Sequence, residues 1–128
     1  MRSDFVSNEQ IVRAARRSLA SGEWDYLVGG TESETTMRRN RAAFDRIAFR
    51  PRVLIDVSSV DPSVTFLGHR MRIPVMLAPI GSLHVFTPDG SVAAAKAAAK
   101  FGTAQVVSSV SEHSLEEIAA STAGPKVF

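Results

Sequence analysis

The sequence predicts an α/β fold built on parallel strands and preceded by a helical segment. Three observations carry this. Two near-continuous apolar runs, Val75-Met76-Leu77-Ala78 and Ala104 to Val107, have the pattern of strands buried on both faces. Between them an Ala-rich stretch, Val92 to Phe101, is opened by Thr87-Pro88-Asp89 and closed by Gly102. The order strand, loop, helix, strand repeats at the roughly 30-residue spacing of a βαβ unit, which demands a parallel sheet.

Each element has its own local reason. Ser7-Asn8-Glu9-Gln10 has the form of a capping box, and Ile11, Val12, Ala15 and Leu19 follow at helical spacing before Gly22. Glu23 to Val28 predicts a short second helix stopped by Gly29-Gly30, where at least one glycine is expected in the left-handed region. Thr31-Glu32-Ser33-Glu34 predicts another capping box. The helix behind it places Met37, Phe44 and Ile47 on one face, runs to about Ala48 and ends at Arg50-Pro51-Arg52.

From Val53 to Arg72 the pattern changes to β-branched residues and turn signals. Val53-Leu54-Ile55, Asp61-Pro62-Ser63 and Val64 to His69 predict extended segments and a hairpin. Further on, Thr87 is expected as N-cap, with Pro88 at the first helical position and Asp89 in the first turn. Ser114-Leu115-Glu116-Glu117 is a third capping box, Gly124-Pro125 stops its helix, and Lys126-Val127-Phe128 begins a third strand. Two closures fit this order, an open doubly wound sheet or a barrel. A (β/α)8 barrel takes roughly 250 residues, so a chain of 128 that stops inside its third strand is read as a fragment.

Composition narrows the class without identifying the partner. The chain is 45% apolar and 22% charged, enough to bury a core, and its net charge of +2 does not argue for a nucleic-acid or membrane surface. There are no cysteines, which removes disulfides and thiolate metal sites and agrees with a cytoplasmic location. No continuous apolar segment near the N-terminus has signal-peptide form, and the longest apolar run, Pro74 to Ile80, is too short to span a bilayer, so no transmembrane segment is expected.

Several stretches, in order and without a large gap from Glu23 to Phe128, together resemble the FMN-dependent 2-hydroxy-acid dehydrogenase family, which includes glycolate oxidase, lactate oxidase and mandelate dehydrogenase. They are Asp25-Tyr26 with Gly30 and Glu32, Asn40-Arg41-Ala42-Ala43-Phe44, Arg50-Pro51-Arg52-Val53-Leu54, and Asp56-Val57 leading to Asp61 and Leu67-Gly68. Ile73-Pro74, Ala78-Pro79-Ile80-Gly81, Pro88-Asp89-Gly90, Gly102-Thr103, Ser108-Ser109 and Ser114 to Glu117 continue the series. The resemblance implies the N-terminal part of a (β/α)8 TIM barrel. Residues 1–72 would form a helical and extended segment covering the barrel, and residues 73–128 the first two βα units and the start of the third strand.

In such a barrel the site lies at the C-terminal ends of the strands, here Ala78 to Gly81 and Ser108 to Val110. The resemblance implies that Pro79, Ile80 and Gly81 lay backbone against FMN and that Ser108 hydrogen-bonds its polar edge. From spacing alone, Gly81 equally well makes a turn and Ser108 satisfies local backbone. Tyr26, the only tyrosine, is by resemblance the donor to the substrate carboxylate; its bland alternative is a packing residue with its hydroxyl in water. Trp24 is read as packing.

Many oxidases of the family have alanine at the position of Gly81, and the glycolate enzyme has a large aromatic at the position of Val110. Both departures imply room for a bulkier 2-hydroxy acid. The catalytic histidine, the arginines that clamp the substrate and the phosphate loops belong to late strands, so this chain holds no catalytic residue. The partners implied are the remaining C-terminal part of the barrel, in the same or a second chain, a small 2-hydroxy acid, and further copies of the complete unit as a homo-oligomer.

The basic run Arg38, Arg39, Arg41, Arg46, Arg50 and Arg52 has no interleaved aromatics, and Glu34 stands at i−4 to Arg38. It reads as a solvated helix face with subunit contacts rather than a nucleic-acid surface. His69, His84 and His113 lack a second ligand at helical metal spacing, so no metal site is expected. Two alternatives to the 2-hydroxy-acid reading are another FMN barrel, such as type-2 isopentenyl diphosphate isomerase, and a non-catalytic fragment or assembly module.

Overall fold

The computed structural model describes residues 5–128, which fall into two compact units divided between Ile55 and Asp56. In the first unit α1 spans Asn8–Ser18, α2 Ser21–Val28 and α3 Thr35–Asp45. Ser7 caps α1 as expected, its side chain accepting from the Gln10 N–H, but the Gln10 side chain accepts from the Val6 N–H and not from that of Ser7. Trp24 packs as expected, with the Arg16 guanidinium 5.3 Å from its ring centre.

The entry to α3 departs from the sequence reading. Neither Gly29 nor Gly30 takes a positive φ; Gly29 is extended, and a Cβ there would stand 2.7 Å from the Asp25 carbonyl oxygen. Close backbone approach, not handedness, calls for glycine at that point. The left-handed residues are Glu32 and Glu34, with φ of 52° and 56°. Thr31 to Glu34 therefore forms a turn closed by Glu34 N–H to Thr31 O at 3.0 Å rather than a capping box. The Glu34 carboxylate accepts from the Gly30 N–H at 3.1 Å, and Arg38 reaches Thr35 Oγ1 at 3.3 Å in place of the Glu34 pairing. α3 stops at Asp45, short of Ala48, and Phe44 and Ile47 remain exposed.

The second unit begins with turns. Asp56 and Asp61 accept from the Ser58 and Ser63 N–H groups at 2.9 and 3.0 Å, and these bonds hold both carboxyls below the usual carboxylate range. β1 (Val64–Phe66) and β2 (His69–Met71) form the expected hairpin, antiparallel in the register Val64 with Met71. Both residues of its turn are left-handed, Leu67 at φ 49° and Gly68 at φ 79°, the pattern whose twist matches the strands. Val53-Leu54-Ile55, expected to be extended, forms no strand, and Leu54 sits fully exposed at φ 59°.

The remainder is a parallel α/β layer. α4 spans Gly90–Phe101, β3 Gln105–Val106, α5 Leu115–Ala120 and β4 Lys126–Val127, and Leu83–Val85 makes a 3₁₀ turn. β3 pairs with β4 on one side and with Leu77 on the other, both parallel. Backbone bonds alternate as a central strand requires: the Val106 N–H goes to Leu77 O, while Gln105 and Val107 donate to Pro125 O and Val127 O. The first apolar run is correct in position and direction but not in burial. Val75 is 55% exposed because among the described residues this segment has a strand neighbour only at β3.

Ala95, Val107 and Ile118, with Val92 against them, form the core between α4, β3 and α5. The Ser114 capping box forms in both directions, at 3.2 Å to the Glu117 N–H and 2.8 Å back to its carboxylate. Gly102 ends α4 at φ 89°, its own N–H and that of Thr103 both closing onto Ala98 O. Thr87 does not cap α4. Its carbonyl closes a turn onto the Gly90 N–H, and Asp89 occupies the cap position without a side-chain bond. α5 ends at Ala120, four positions before Gly124, whose lack of a Cβ lets the backbone lie against Ala99.

Candidate functional site

Within the second unit the ends of the Leu77 segment and of β3 lie side by side, which follows from their parallel pairing. Five of the six residues singled out from the sequence stand there. Pro79 and Ile80 form an exposed ledge folded by an Ile80 N–H to Ala78 O bond of 3.0 Å. Gly81 faces the neighbouring loop so closely that a Cβ would meet Val110 O at 3.0 Å, Val110 Cβ at 3.3 Å and Ser108 Oγ at 3.4 Å. One residue on, the Ser82 N–H donates to Val110 O at 3.3 Å. Val110 itself is 69% exposed.

Ser108 is half-buried, and its Oγ accepts from the Val110 N–H at 3.1 Å. This is the local backbone role that spacing alone allowed, and it leaves the hydroxyl proton without an acceptor among the described residues. The Gly81 N–H likewise donates to nothing among them. The ledge thus offers two donors beside exposed apolar backbone, an arrangement suited to a flat ligand with acceptor atoms along one edge. FMN fits that description.

Behind the ledge lies a polar cluster that sequence reasoning did not find. Glu112, with a side chain only 12% exposed, accepts from the backbone N–H and hydroxyl of Ser91 in the first turn of α4. His113 Nδ1 lies 3.1 Å and His84 Nδ1 3.7 Å from its two carboxylate oxygens. Ser111 donates to Ser91 Oγ at 2.8 Å, and Gln105 Nε2 to Ser91 O at 3.4 Å. Burial pushes the Glu112 carboxyl up, but the bonds from Ser91, from its own backbone N–H and from His113 outweigh that and bring its pKa down to about 2. The only sequence signal was a glutamate beside the Ser114 cap. No group of three His, Cys, Asp or Glu side chains with metal-holding geometry occurs among the described residues.

Tyr26 belongs to the first unit, on α2 two positions from its end, and is 65% exposed. Arg39 of α3 and Arg46 just past its end line an open groove with Thr36, Asn40 and Ala43, and no aromatic lines it. No helix among the described residues is long and apolar enough to cross a membrane.

Comparison with known proteins matches this architecture. The family model described as FMN-dependent dehydrogenase matches residues 15–128. Glycolate oxidase 1 of Zea mays is 43% identical over 114 residues, covering 89% of this chain and 31% of that protein. The peroxisomal (S)-2-hydroxy-acid oxidase GLO4 of Oryza sativa subsp. japonica is 44% identical over 116 residues, covering 91% and 32%. Among solved structures, mandelate oxidase with (S)-4-hydroxymandelic acid superposes with a TM-score of 0.89 at 36% identity, covering 94% of this chain and 34% of that one. The chain spans about a third of the length of these relatives. Its helices and parallel strands are the N-terminal part of a (β/α)8 barrel, the barrel closure and not the open sheet. This chain belongs to the FMN-dependent dehydrogenase family.

Proposed function

We propose that this chain is the N-terminal part of an FMN-dependent enzyme that oxidises a 2-hydroxy acid to a 2-keto acid, with the rest of the barrel supplying the catalytic base. The observation that carries the reading is the ledge itself, where Gly81, Ser108 and Val110 meet at the ends of consecutive parallel strands. Relatives named glycolate oxidase and mandelate oxidase support a 2-hydroxy acid over the diphosphate of type-2 isopentenyl diphosphate isomerase.

Bound FMN supplies the acceptor for the two electrons released with the substrate's α-hydrogen. The chain's own residues bind and orient. Pro79 to Gly81 provide a wall with little side-chain bulk, and the Gly81 N–H and Ser108 hydroxyl donate to acceptor atoms of the ring edge. Tyr26 donates its phenolic proton to the substrate carboxylate, and Val110 bounds the space left for the substituent on the α-carbon. Holding the α-carbon in place in this way converts an encounter into a positioned reaction, which is the main contribution such residues make. A homo-oligomer of the complete unit, in the cytoplasm, completes the proposal; native mass and cell fractionation test those two points.

The deciding test is cofactor content. The chain together with the rest of its barrel is expected to be yellow and to release FMN on denaturation. Ser108→Ala is expected to weaken FMN binding by about 0.5–1.5 kcal/mol, the worth of one neutral hydrogen bond. A colourless complex with no flavin in the extract refutes the reading and leaves an assembly module.

A further inference from the structure

Glu112 has a place in the fold that its capping contact alone does not account for. The loop leaving the Leu77 segment, residues 81–89, runs directly into the first turn of α4, which holds Ser91, and the loop leaving β3, residues 107–114, meets this stretch at two points. Near the strands, Ser82 donates to Val110 O at 3.3 Å. Near the helices, Ser111 and Glu112 both close onto Ser91, which is 1% exposed, across 20 and 21 positions of sequence. Between the two points, His84 on the first loop faces the Glu112 carboxylate at 3.7 Å.

Room has been made for this carboxylate. Gly90 is buried at φ 39°, and a Cβ there would fall 1.6 Å from Glu112 Oε1. A glutamate held by backbone and hydroxyl donors in a half-closed pocket loses little to solvent screening, unlike an exposed pair.

We propose that Glu112 is a positioning residue: by closing onto Ser91 it clamps the two strand-end loops together and so sets Gly81, Ser108 and Val110. Any functional consequence rests on the FMN reading above; the clamp itself does not. The groups facing the carboxylate are Ser91 of α4, His84 of the 3₁₀ turn, and Ser111 (through Ser91) and His113 of its own loop.

The test is amide hydrogen exchange, followed by mass spectrometry, on the chain with the rest of its barrel, without and with FMN. Glu112→Ala is expected to speed exchange by about tenfold or more in residues 81–87 and 108–111, because losing a bond to a charged group raises the open population by that order. Glu112→Gln is expected to restore part of the protection, since an amide oxygen still accepts from the Ser91 N–H but without the charge. In the FMN-loaded protein the dissociation constant should rise several-fold with Glu112→Ala and return in part with Glu112→Gln.

If acceleration is confined to residues 90–92, Glu112 only caps α4 and the proposal is overturned. Should Glu112→Ala fail to fold, Ser91→Ala removes the hydroxyl contacts to Ser111 and Glu112 and keeps the N–H. It is expected to loosen residues 108–111 to a smaller degree, and unchanged exchange there also overturns the proposal. A wild-type protein that binds no FMN defeats the functional reading while the exchange comparison still decides the clamp.

Discussion

Replacing Gly81 with alanine tests the ledge at its tightest point. The new methyl would lie 3.0 Å from Val110 O and 3.3 Å from Val110 Cβ, against ordinary contacts of about 3.3–3.6 Å to oxygen and 3.5–4.0 Å between carbons. The overlap is a few tenths of an ångström. Gly81 does not sit at positive φ, so the substitution carries no backbone strain and the whole effect is steric. The cheapest relief moves the Val110 segment away, which lengthens the 3.3 Å bond from Ser82 and shifts the exposed Val110 side chain into the space assigned to the substrate's substituent.

A misplaced methyl in a binding pocket is worth about 1–3 kcal/mol of discrimination. In the complete enzyme, kcat/KM for mandelate is therefore expected to fall about tenfold to a hundredfold relative to glycolate. Steady-state kinetics with glycolate, lactate and mandelate, on protein matched for FMN content, reads this directly. A mandelate to glycolate ratio unchanged within about twofold refutes the argument that Gly81 and Val110 share one space. A general loss on all three acids, with a lowered melting temperature, shows overpacking instead.

Tyr26→Phe removes one donor to a charged carboxylate, worth about 1.5–3 kcal/mol, and is expected to cost roughly tenfold to a hundredfold in kcat/KM with the flavin spectrum unchanged; wild-type turnover returns Tyr26 to a packing role. Glu112 has a folded pKa of about 2, below its ordinary 4.5, so its contribution is present above pH 4.5 and is lost as pH falls from there through about 2. The stability gap between wild type and Glu112→Gln should therefore narrow over this window in thermal melts; a gap that is constant or widens toward low pH contradicts it. The 128-residue chain without the rest of its barrel is expected to show no sharp monomeric melting transition, because Val75, Leu77 and Ile80 leave apolar surface and a strand edge open. A cooperative monomeric transition defeats that expectation.

What was legible in the sequence shares one property: the determining atoms lie within a few residues of each other. The Ser114 box closes over three positions and Gly102 ends a helix through its own φ, so both follow from local chemistry. The βαβ order and the parallel direction likewise follow from apolar runs and their spacing. Where local signals compete, the sequence misleads. Thr87-Pro88-Asp89 and Thr31 to Glu34 carry cap-forming residues, yet each makes a turn, with left-handed steps at Gly90 after the first and at Glu32 and Glu34 within the second.

Sequence alone determined the class of fold and the family resemblance, since these depend on residue type and order. Tertiary structure decided that Gly81 is pressed against Val110 and Ser108, that Val75 lies open, and that Glu112 reaches Ser91 across 21 positions. The physical reason is that these contacts join loops brought together only when parallel strands pair. No window of sequence contains both partners, and the carboxylate's charge, its burial and its donors become related only once the chain has folded.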